Sequence, residues 1–579
     1  MINKIILIIL TTWVFNTHAQ VSQIIAPDFF YIVPEPEYIS INSNHRLSAI
    51  AIEKSFLEKT YLNEAINGQF LELEKESSSP TGTHLRFRHF FKGLPVYQSF
   101  VQASYSKDGK LFSIINALVK FDEYKEEEKA ADFWVNTSIG LVKGYLSTST
   151  DNHNQPVTNI YSVGGKLLQS YHQKLYLEGP DTMVTAMVYL PNPIVAANTN
   201  YGGDFVDNND KNTAGLTNAR SKVRVPVKFI NGKFILTDGI IKLKNLYDPV
   251  GDPVEPKDTF INFTRDQSGF EDINVYYHLK SFSDYLRKTG FRDMLDTIIV
   301  DPHGENGDDN SSFDPESFAL QYGTGGVDDG EDGQVVLHEF GHSISFMGSP
   351  GTVNGSQRDA MEEGQADYIA MSYSRSLSPN RPNDVFSWDG HNEFWDGFVT
   401  NSPRQYKNLT NLKDLDREIW STGLMCIWDR LGRAKSDSLI LSYFYFQAGQ
   451  TTMPQMARVI LKIDTILFKG KNSHNIWECF ANQGILAPNK IQMPIKASDI
   501  RISNTSEFAN GLAPARITSS NPELWSNIEI YNNIGQNIIS IDMDKETFLY
   551  PQTFIPGVYY LKIISKDETI IVNKKIIRY

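Results

Sequence analysis

Residues 335–344 read Val-Val-Leu-His-Glu-Phe-Gly-His-Ser-Ile, and this H-E-x-x-H stretch constrains the chain more than any other feature. On a helix, positions four apart share a face, so His338 and His342 can turn a ring nitrogen toward one ion. Glu339 stands beside the first of them, where its carboxylate can take a proton from nearby water. The flanking Val335, Val336, Leu337, Phe340 and Ile344 are apolar, which predicts a buried helix. A buried His-Glu-His set with no partner would be costly, so the pattern points to a bound metal.

A metal that does chemistry needs a third protein ligand and an open position. Twenty-one positions after His342 lies Glu363, within Met361-Glu-Glu-Gly-Gln-Ala-Asp367. Glu363 and Asp367 are again four apart. This permits Glu363 to bind the ion while Asp367 accepts the second N–H of a ligand histidine. Apolar Met361, Ala366, Ile369 and Ala370 predict that this helix is buried too. The chain has two cysteines, Cys426 and Cys479, which excludes a disulfide framework and a cysteine-rich zinc ribbon. Both lie in apolar runs and read as small buried hydrophobes.

The remaining sequence sets the organisation. With 579 residues, 41% of them apolar and 21% charged, three or four folded domains are expected. A net charge of −14 with scattered Lys and Arg argues against a nucleic-acid groove. Residues 1–19 read as a signal peptide: Lys4, an apolar run from Ile5 to Phe15, then Ala19 at the cut. That run is too short to span a membrane, so an exported protein with no membrane span in its mature form is expected. Residues 45–70 carry a helical period, and His84 to Val119 alternates with a hairpin signal at Asp108-Gly109. Ala130 to Tyr145 reads as a second helix, and Pro191 to Thr213 as a loop. An amphipathic helix is predicted over Phe270 to Thr289, ended by Gly290, followed by an acidic loop from Asp301 to Gly333. Helices then run to about Ile485, and short strands resume from Ile500.

His-Glu-Phe-Gly-His followed by Met-Glu-Glu-Gly-Gln-Ala-Asp resembles the gluzincin pattern of the fungalysin branch of thermolysin-like metallopeptidases. The resemblance implies that His338, His342 and Glu363 are zinc ligands, Glu339 the general base and Asp367 the residue that orients a ligand histidine. It also places Asn310 and Ser311 where such enzymes have an edge strand that pairs with substrate backbone. Further similar stretches are Phe270 to His278, Val327 to Asp332 and Glu418-Ile-Trp420. His84 to Val96 is similar to the family's propeptide, an inhibitor and folding aid expected to cover the cleft. The segments Ile530 to Gly535, Gly557 to Tyr560 and Asn573 to Arg578 resemble the sorting domain read by type IX secretion machinery.

The implied architecture is a signal peptide at 1–19, an α+β propeptide at 20–192 and a thermolysin-like α+β metallopeptidase domain at 193–490. That domain would have a mixed-sheet N-subdomain and a mainly helical C-subdomain; a small all-β C-terminal module follows at 497–579. The implied function is a secreted zinc endopeptidase made as a proenzyme, acting on protein or peptide substrates outside the cell or at its surface. Calcium stays open beside zinc. The stretch Asp301 to Asp332 has the hard oxygen ligands that calcium takes but lacks EF-hand spacing, and it reads equally as a solvated acidic loop.

One departure from the family matters. A histidine that stabilises the oxyanion normally lies three residues before a Gly-Glu-(Ile/Val)-Trp run; here those two positions hold Asp414 and Arg417. An ionised carboxylate cannot donate that hydrogen bond. Lys413, Arg417 and His391 are the nearby substitutes, of which His391 reads better as a structural loop residue. The departure supports a second reading: a catalytically impaired zinc-binding exported protein that acts as a binding or surface module.

Overall fold

Alternation around His84 builds the first layer. Along β3 (Gly82–Phe91), Leu85, Phe87, His89 and Phe91 are buried while Arg86 and Arg88 are half-exposed. The strand pairs antiparallel with β2 (Gln69–Ser79) and β4 (Leu94–Ser106), and β4 turns at Asp108-Gly109 into β5 (Leu111–Ala117). With β1 (Phe29–Ile32), β6 (Phe133–Thr137), β7 (Gly140–Thr150), β8 (Pro156–Ser162) and β9 (Leu167–His172) they form one nine-stranded sheet.

The computed structural model describes residues 181–249 and 251–487 without interruption, most of 67–172 and 500–579, and short pieces at 29–32, 57–58 and 62. The signal-peptide reading lies outside the described residues. So does most of the helix expected over 45–70, of which Leu57 and Glu58 are helical and Gln69 already begins β2.

The helix expected from Ala130 to Tyr145 is instead the hairpin β6–β7. Trp134 packs with Phe91 and Val96, whereas Phe133 and Val135 pack with Ile160. A strand buried on both faces reads as one continuous apolar run, which periodicity cannot tell from a helix.

Downstream, two mixed four-stranded sheets line up. The first has the order β12-β11-β10-β14, with β10 at Asp181–Val188, β11 at Ser221–Ile230, β12 at Lys233–Ile235 and β14 at Phe260–Ile261. The second has the order β13-β15-β17-β16, with β13 at Ile241–Leu243, β15 at Ile298–Asp301, β16 at Ser311–Asp314 and β17 at Ala319–Tyr322. Strand β10 lies before position 193, yet it pairs with β11 over eight residues and buries Val184, Ala186 and Val188 in this body. The loop expected over 191–213 contains a short helix, Pro193–Ala197, capped by the Asn192 side chain.

Seven longer helices complete the body: α1 (Gly269–Thr289), α2 (Gly333–Gly348), α3 (Ser356–Leu377), α4 (Lys413–Leu431), α5 (Arg433–Tyr443), α6 (Met453–Phe468) and α7 (Ser473–Asn482). Helix α1 ends at Gly290 as its sequence predicts, with φ +92°. Cys426 and Cys479 are not free hydrophobes: they form a disulfide joining α4 to α7, Cα atoms 5.6 Å apart. Both lie in apolar runs, and Trp420 stacks on Phe480 at 5.1 Å between the same two helices. Among the described residues no helix is long and apolar enough to cross a membrane.

The C-terminal residues form sheets of their own. β20 (Ile500–Ser503), β21 (Ala515–Ser519) and β24 (Glu546–Leu549) make one. β22 (Trp525–Asn532), β23 (Asn537–Asp542), β25 (Gly557–Ser565) and β26 (Ile571–Arg578) make the other, around a core of Ile517, Trp525, Ile528, Leu561 and Ile563.

The nine-stranded module touches the helical body at defined points. His84 stacks on Tyr445 with ring centroids 4.0 Å apart, and Gln102 Nε2 donates to the carbonyls of Tyr445 (3.2 Å) and Gly348 (3.5 Å). Ser78 N donates to Asp293 Oδ2 at 2.7 Å.

Candidate metal centre

Two glycines let three helices close on one point. A Cβ on Gly341 would lie 3.1 Å from Ala366 Cα, and one on Gly364 would lie 2.6 Å from the Arg417 carbonyl oxygen. Any larger residue would push α2 from α3, or α3 from α4. The apolar residues around the histidines, Val336, Leu337 and Ile344, are fully buried, as are Met361, Ala366 and Ala370. The Asp332 carboxylate accepts from Gln334 N and caps α2.

This packing brings His338, His342 and Glu363 together. The two Nε2 atoms are 3.2 Å apart, and Glu363 Oε2 lies 3.3 Å from His338 Nε2 and 3.8 Å from His342 Nε2. Ligands held about 2.1 Å from a tetrahedral zinc ion stand about 3.4 Å from one another, so this donor set fits zinc. Glu339 Oε1 lies 3.9 Å from His338 Nε2 and lines the same cleft, which measures about 690 Å³.

Each imidazole has a carboxylate behind it. Asp367 Oδ1 is 3.2 Å from His338 Nδ1. Glu362 Oε1 is 3.2 Å from His342 Nδ1, a partner that the sequence reading missed. Its signal was local, since Arg358 stands four residues earlier on α3 and donates to Glu362 Oε2 at 2.6 Å. Ser345 Oγ and Gln365 Nε2 reach the same oxygen at 2.9 and 2.7 Å. Burial opposes the charged form of Glu362, but Arg358 and then His342 hold its carboxyl below the usual range. Burial likewise opposes a charged His342, yet the Glu362 hydrogen bond and the Glu363 and Glu339 charges lift it to about 9.

Cations surround the third carboxylate. Lys413 Nζ lies 2.7 Å from Glu363 Oε1, and Arg417 Nη1 lies 3.2 Å from Oε2. Burial opposes its charge, but Arg417 and then His338 and His342 hold Glu363 far below the usual carboxylate range. Arg417 also clamps Asp367 through Nε (2.9 Å) and stacks 4.1 Å over the Phe398 ring. Asp414 lines the cleft, at the position where the family resemblance implies a histidine. His391 lies elsewhere, its Nε2 facing the carbonyls of Val385 and Phe398 at 3.2 and 3.1 Å.

Asn310 and Ser311 line the cleft, and Ser311 opens β16, the outermost strand of its sheet. Ser311 Oγ is tied to Asp329 Oδ2 at 2.5 Å. Asp329 belongs to a carboxylate group with Asp309 and Asp389 whose ligand atoms lie within 4.8 Å of one another. All lining residues fall between Asp309 and Arg417. None of the described residues of the nine-stranded module covers the cleft; the module meets the far end of α2 instead.

Parts of the chain are similar to known proteins. Residues 71–118 match the Fungalysin/Thermolysin Propeptide Motif. The chain is 22% identical over 305 residues to the extracellular metalloproteinase MEP of Fusarium vanettenii, covering 42% of this chain and 48% of that protein. It is 22% identical over 268 residues to extracellular metalloproteinase 1 of Phaeosphaeria nodorum, covering 36% and 43%. The chain spans about half the length of the curated relatives it matches.

These similarities support a fungalysin-type metallopeptidase with a propeptide. A metalloproteinase relationship implies a metal cofactor, usually zinc.

Proposed function

We propose that this chain is a secreted zinc endopeptidase made as a proenzyme. The observation that carries the reading is the meeting of His338 Nε2, His342 Nε2 and Glu363 Oε2 within 3.2–3.8 Å, with Glu339 in the same cleft. His338, His342 and Glu363 would hold zinc, which supplies Lewis-acid polarisation of the scissile carbonyl and acidifies the attacking water. Glu339 takes the proton of that water on its carboxylate and passes it to the leaving amine. Asp367 and Glu362 accept the Nδ1–H of His338 and His342, which leaves each Nε2 lone pair facing the centre. The outer strand β16 offers main-chain groups to an extended substrate, with Asn310 and Ser311 at its start.

The oxyanion donor must replace the histidine missing at Asp414. Arg417 is committed to Asp367 and Glu363, whereas Lys413 holds Glu363 alone and its side chain is 54% exposed. Lys413 is therefore the proposed donor. The C-terminal sheets are proposed as the module read by type IX secretion machinery, with the protein released or held at the cell surface. The nine-stranded module, seated on the end of α2, is proposed as a folding aid for the metal helix.

The test is a quenched-peptide or casein assay on processed protein with and without chelator. Glu339→Gln is expected to abolish turnover while zinc stays bound. Processed protein that binds zinc and has no turnover would favour the impaired binding module, a reading the relatives do not support.

A further inference from the structure

Another group of carboxylates lies where the chain enters α2. One oxygen each of Glu271, Asp328 and Glu331 falls within 4.8 Å of the others. Glu271 sits in the first turn of α1, and Asp328 and Glu331 bracket the turn that leads to the α2 cap, Asp332. This turn presses on α1: a Cβ on Gly330 would lie 3.0 Å from Glu271 Cβ, and Asn274 Nδ2 holds the Gly330 carbonyl at 2.8 Å.

Grouped acids are common; the second observation is what Glu271 lacks. It is 1% exposed, and neither carboxylate oxygen meets a hydrogen-bond donor of another residue among the described residues. Asp328 Oδ1 is buried in the same condition. A buried carboxylate in that state is costly. The nearby guanidinium does not answer it, because Arg265 faces Glu331 through Nε at 2.8 Å and Asp207 through Nη2 at 2.7 Å. Glu331 Oε2 also accepts from Trp388 Nε1 at 2.9 Å. Among the described residues, Glu271 and Asp328 are thus left with no cation in ion-pair range.

We propose that Glu271, Asp328 and Glu331 hold a calcium ion that braces the turn feeding the metal helix. The donors are all hard oxygens with no nitrogen or sulfur among them, the chemistry of calcium rather than of zinc. On ionising around a cation, Glu271 and Asp328 supply two negative charges, which match one divalent ion. Burial and then the Glu331 and Asp328 charges push the Glu271 carboxyl well above the usual range while no cation is bound, and the first turn of α1 favours its negative charge once one is. This site does not depend on the hydrolytic reading, and it stands or falls separately.

The test uses the full chain with Glu339→Gln to prevent self-cleavage and with zinc held constant, titrated first with terbium and then with calcium. Terbium luminescence excited through tryptophan is expected, since the Trp388 indole touches Glu331, and calcium should displace it. Calcium about 100-fold above its Kd should raise Tm by ~5–10 °C. Glu271→Gln and Asp328→Asn should each abolish both responses, and Glu271→Gln should melt higher than its parent in the absence of calcium. Asp309→Asn, in the separate carboxylate group of the cleft, should keep both responses. No calcium shift in the parent, a shift that survives in both Glu271→Gln and Asp328→Asn, or loss of the response only in Asp309→Asn would each overturn the proposal. If Glu271→Gln does not fold, Asp328→Asn alone decides.

Discussion

Arg417 Nη2 lies 2.5 Å from Asp367 Oδ1, the same oxygen that faces His338 Nδ1 at 3.2 Å. Asp367 is completely buried, and burial pushes its carboxyl upward, but Arg417 and then His338 hold it below the usual range. Removing the guanidinium strands a buried charge, which costs about 3–5 kcal/mol. Arg417→Leu is therefore expected to lose roughly that much stability. Adding Asp367→Asn should recover part of it, a coupling that urea unfolding of the four proteins in a double-mutant cycle will measure. Equal, additive losses would contradict the clamp.

Glu362 carries a parallel expectation for the other imidazole. Its carboxylate faces His342 Nδ1 at 3.2 Å and fixes which ring nitrogen is free. Glu362→Gln keeps the shape but removes the charge that Arg358 pairs with at 2.6 Å. Zinc affinity should fall by about 10- to 100-fold, read by competition with a chelating dye. Unchanged affinity would mean that Glu362 serves packing alone.

How much of this was legible before the structure depends on range along the chain. The histidine pair and the Glu363–Asp367 pair are four-residue spacings on single helices, so helix geometry alone brings each pair to one face. Glu362 lies next to Glu363, and only the packing of α3 on α2 shows which carboxylate turns toward Nδ1 of His342 and which toward Nε2. Arg417 has no local signal: it meets Asp367 from a helix 50 residues away. The Cys426–Cys479 bridge spans 53 residues and depends on how α4 meets α7. The β6–β7 hairpin was misread for a different reason. Phe133, Trp134 and Val135 are consecutive apolar residues buried on alternate faces, and the period that separates strand from helix is then absent.

Lys413 is the residue on which turnover should depend most after Glu339. Its ammonium lies 2.7 Å from Glu363 Oε1 at the edge of the cleft. Lys413→Met should lower kcat by about 10²- to 10³-fold with little change in KM, as loss of one oxyanion donor does. Lys413→Arg should recover part of the rate. Zinc content measured on the same samples separates this from loss of the Glu363 partner. A larger rise in KM than fall in kcat would assign Lys413 to substrate binding.

The contact between the nine-stranded module and the helical body should weaken in acid. His84 is buried between them, its Nδ1 2.8 Å from Ser104 Oγ and its Nε2 2.8 Å from Ser79 Oγ, with the ring on Tyr445. Burial, helped by the Arg86 charge, lowers its pKa from 6.5 to about 3. The folded chain therefore keeps the ring neutral at a pH where the unfolded chain protonates it. Stability from this group is complete above pH 6.5 and is lost as pH falls from 6.5 toward 3, at roughly 1.4 kcal/mol per pH unit. His89, lowered to about 4 by burial, acts in the same direction but within the strand module, where it meets Ser99 and Gln69. Urea unfolding of the full chain between pH 7 and pH 5 should therefore show a fall in stability, and His84→Asn should remove the His84 share, about 2 kcal/mol by pH 5. Because the ring lies on Tyr445, limited proteolysis should also find the strand module easier to detach at pH 5 than at pH 7. An unchanged pH slope in His84→Asn would show that this histidine does not set the acid lability.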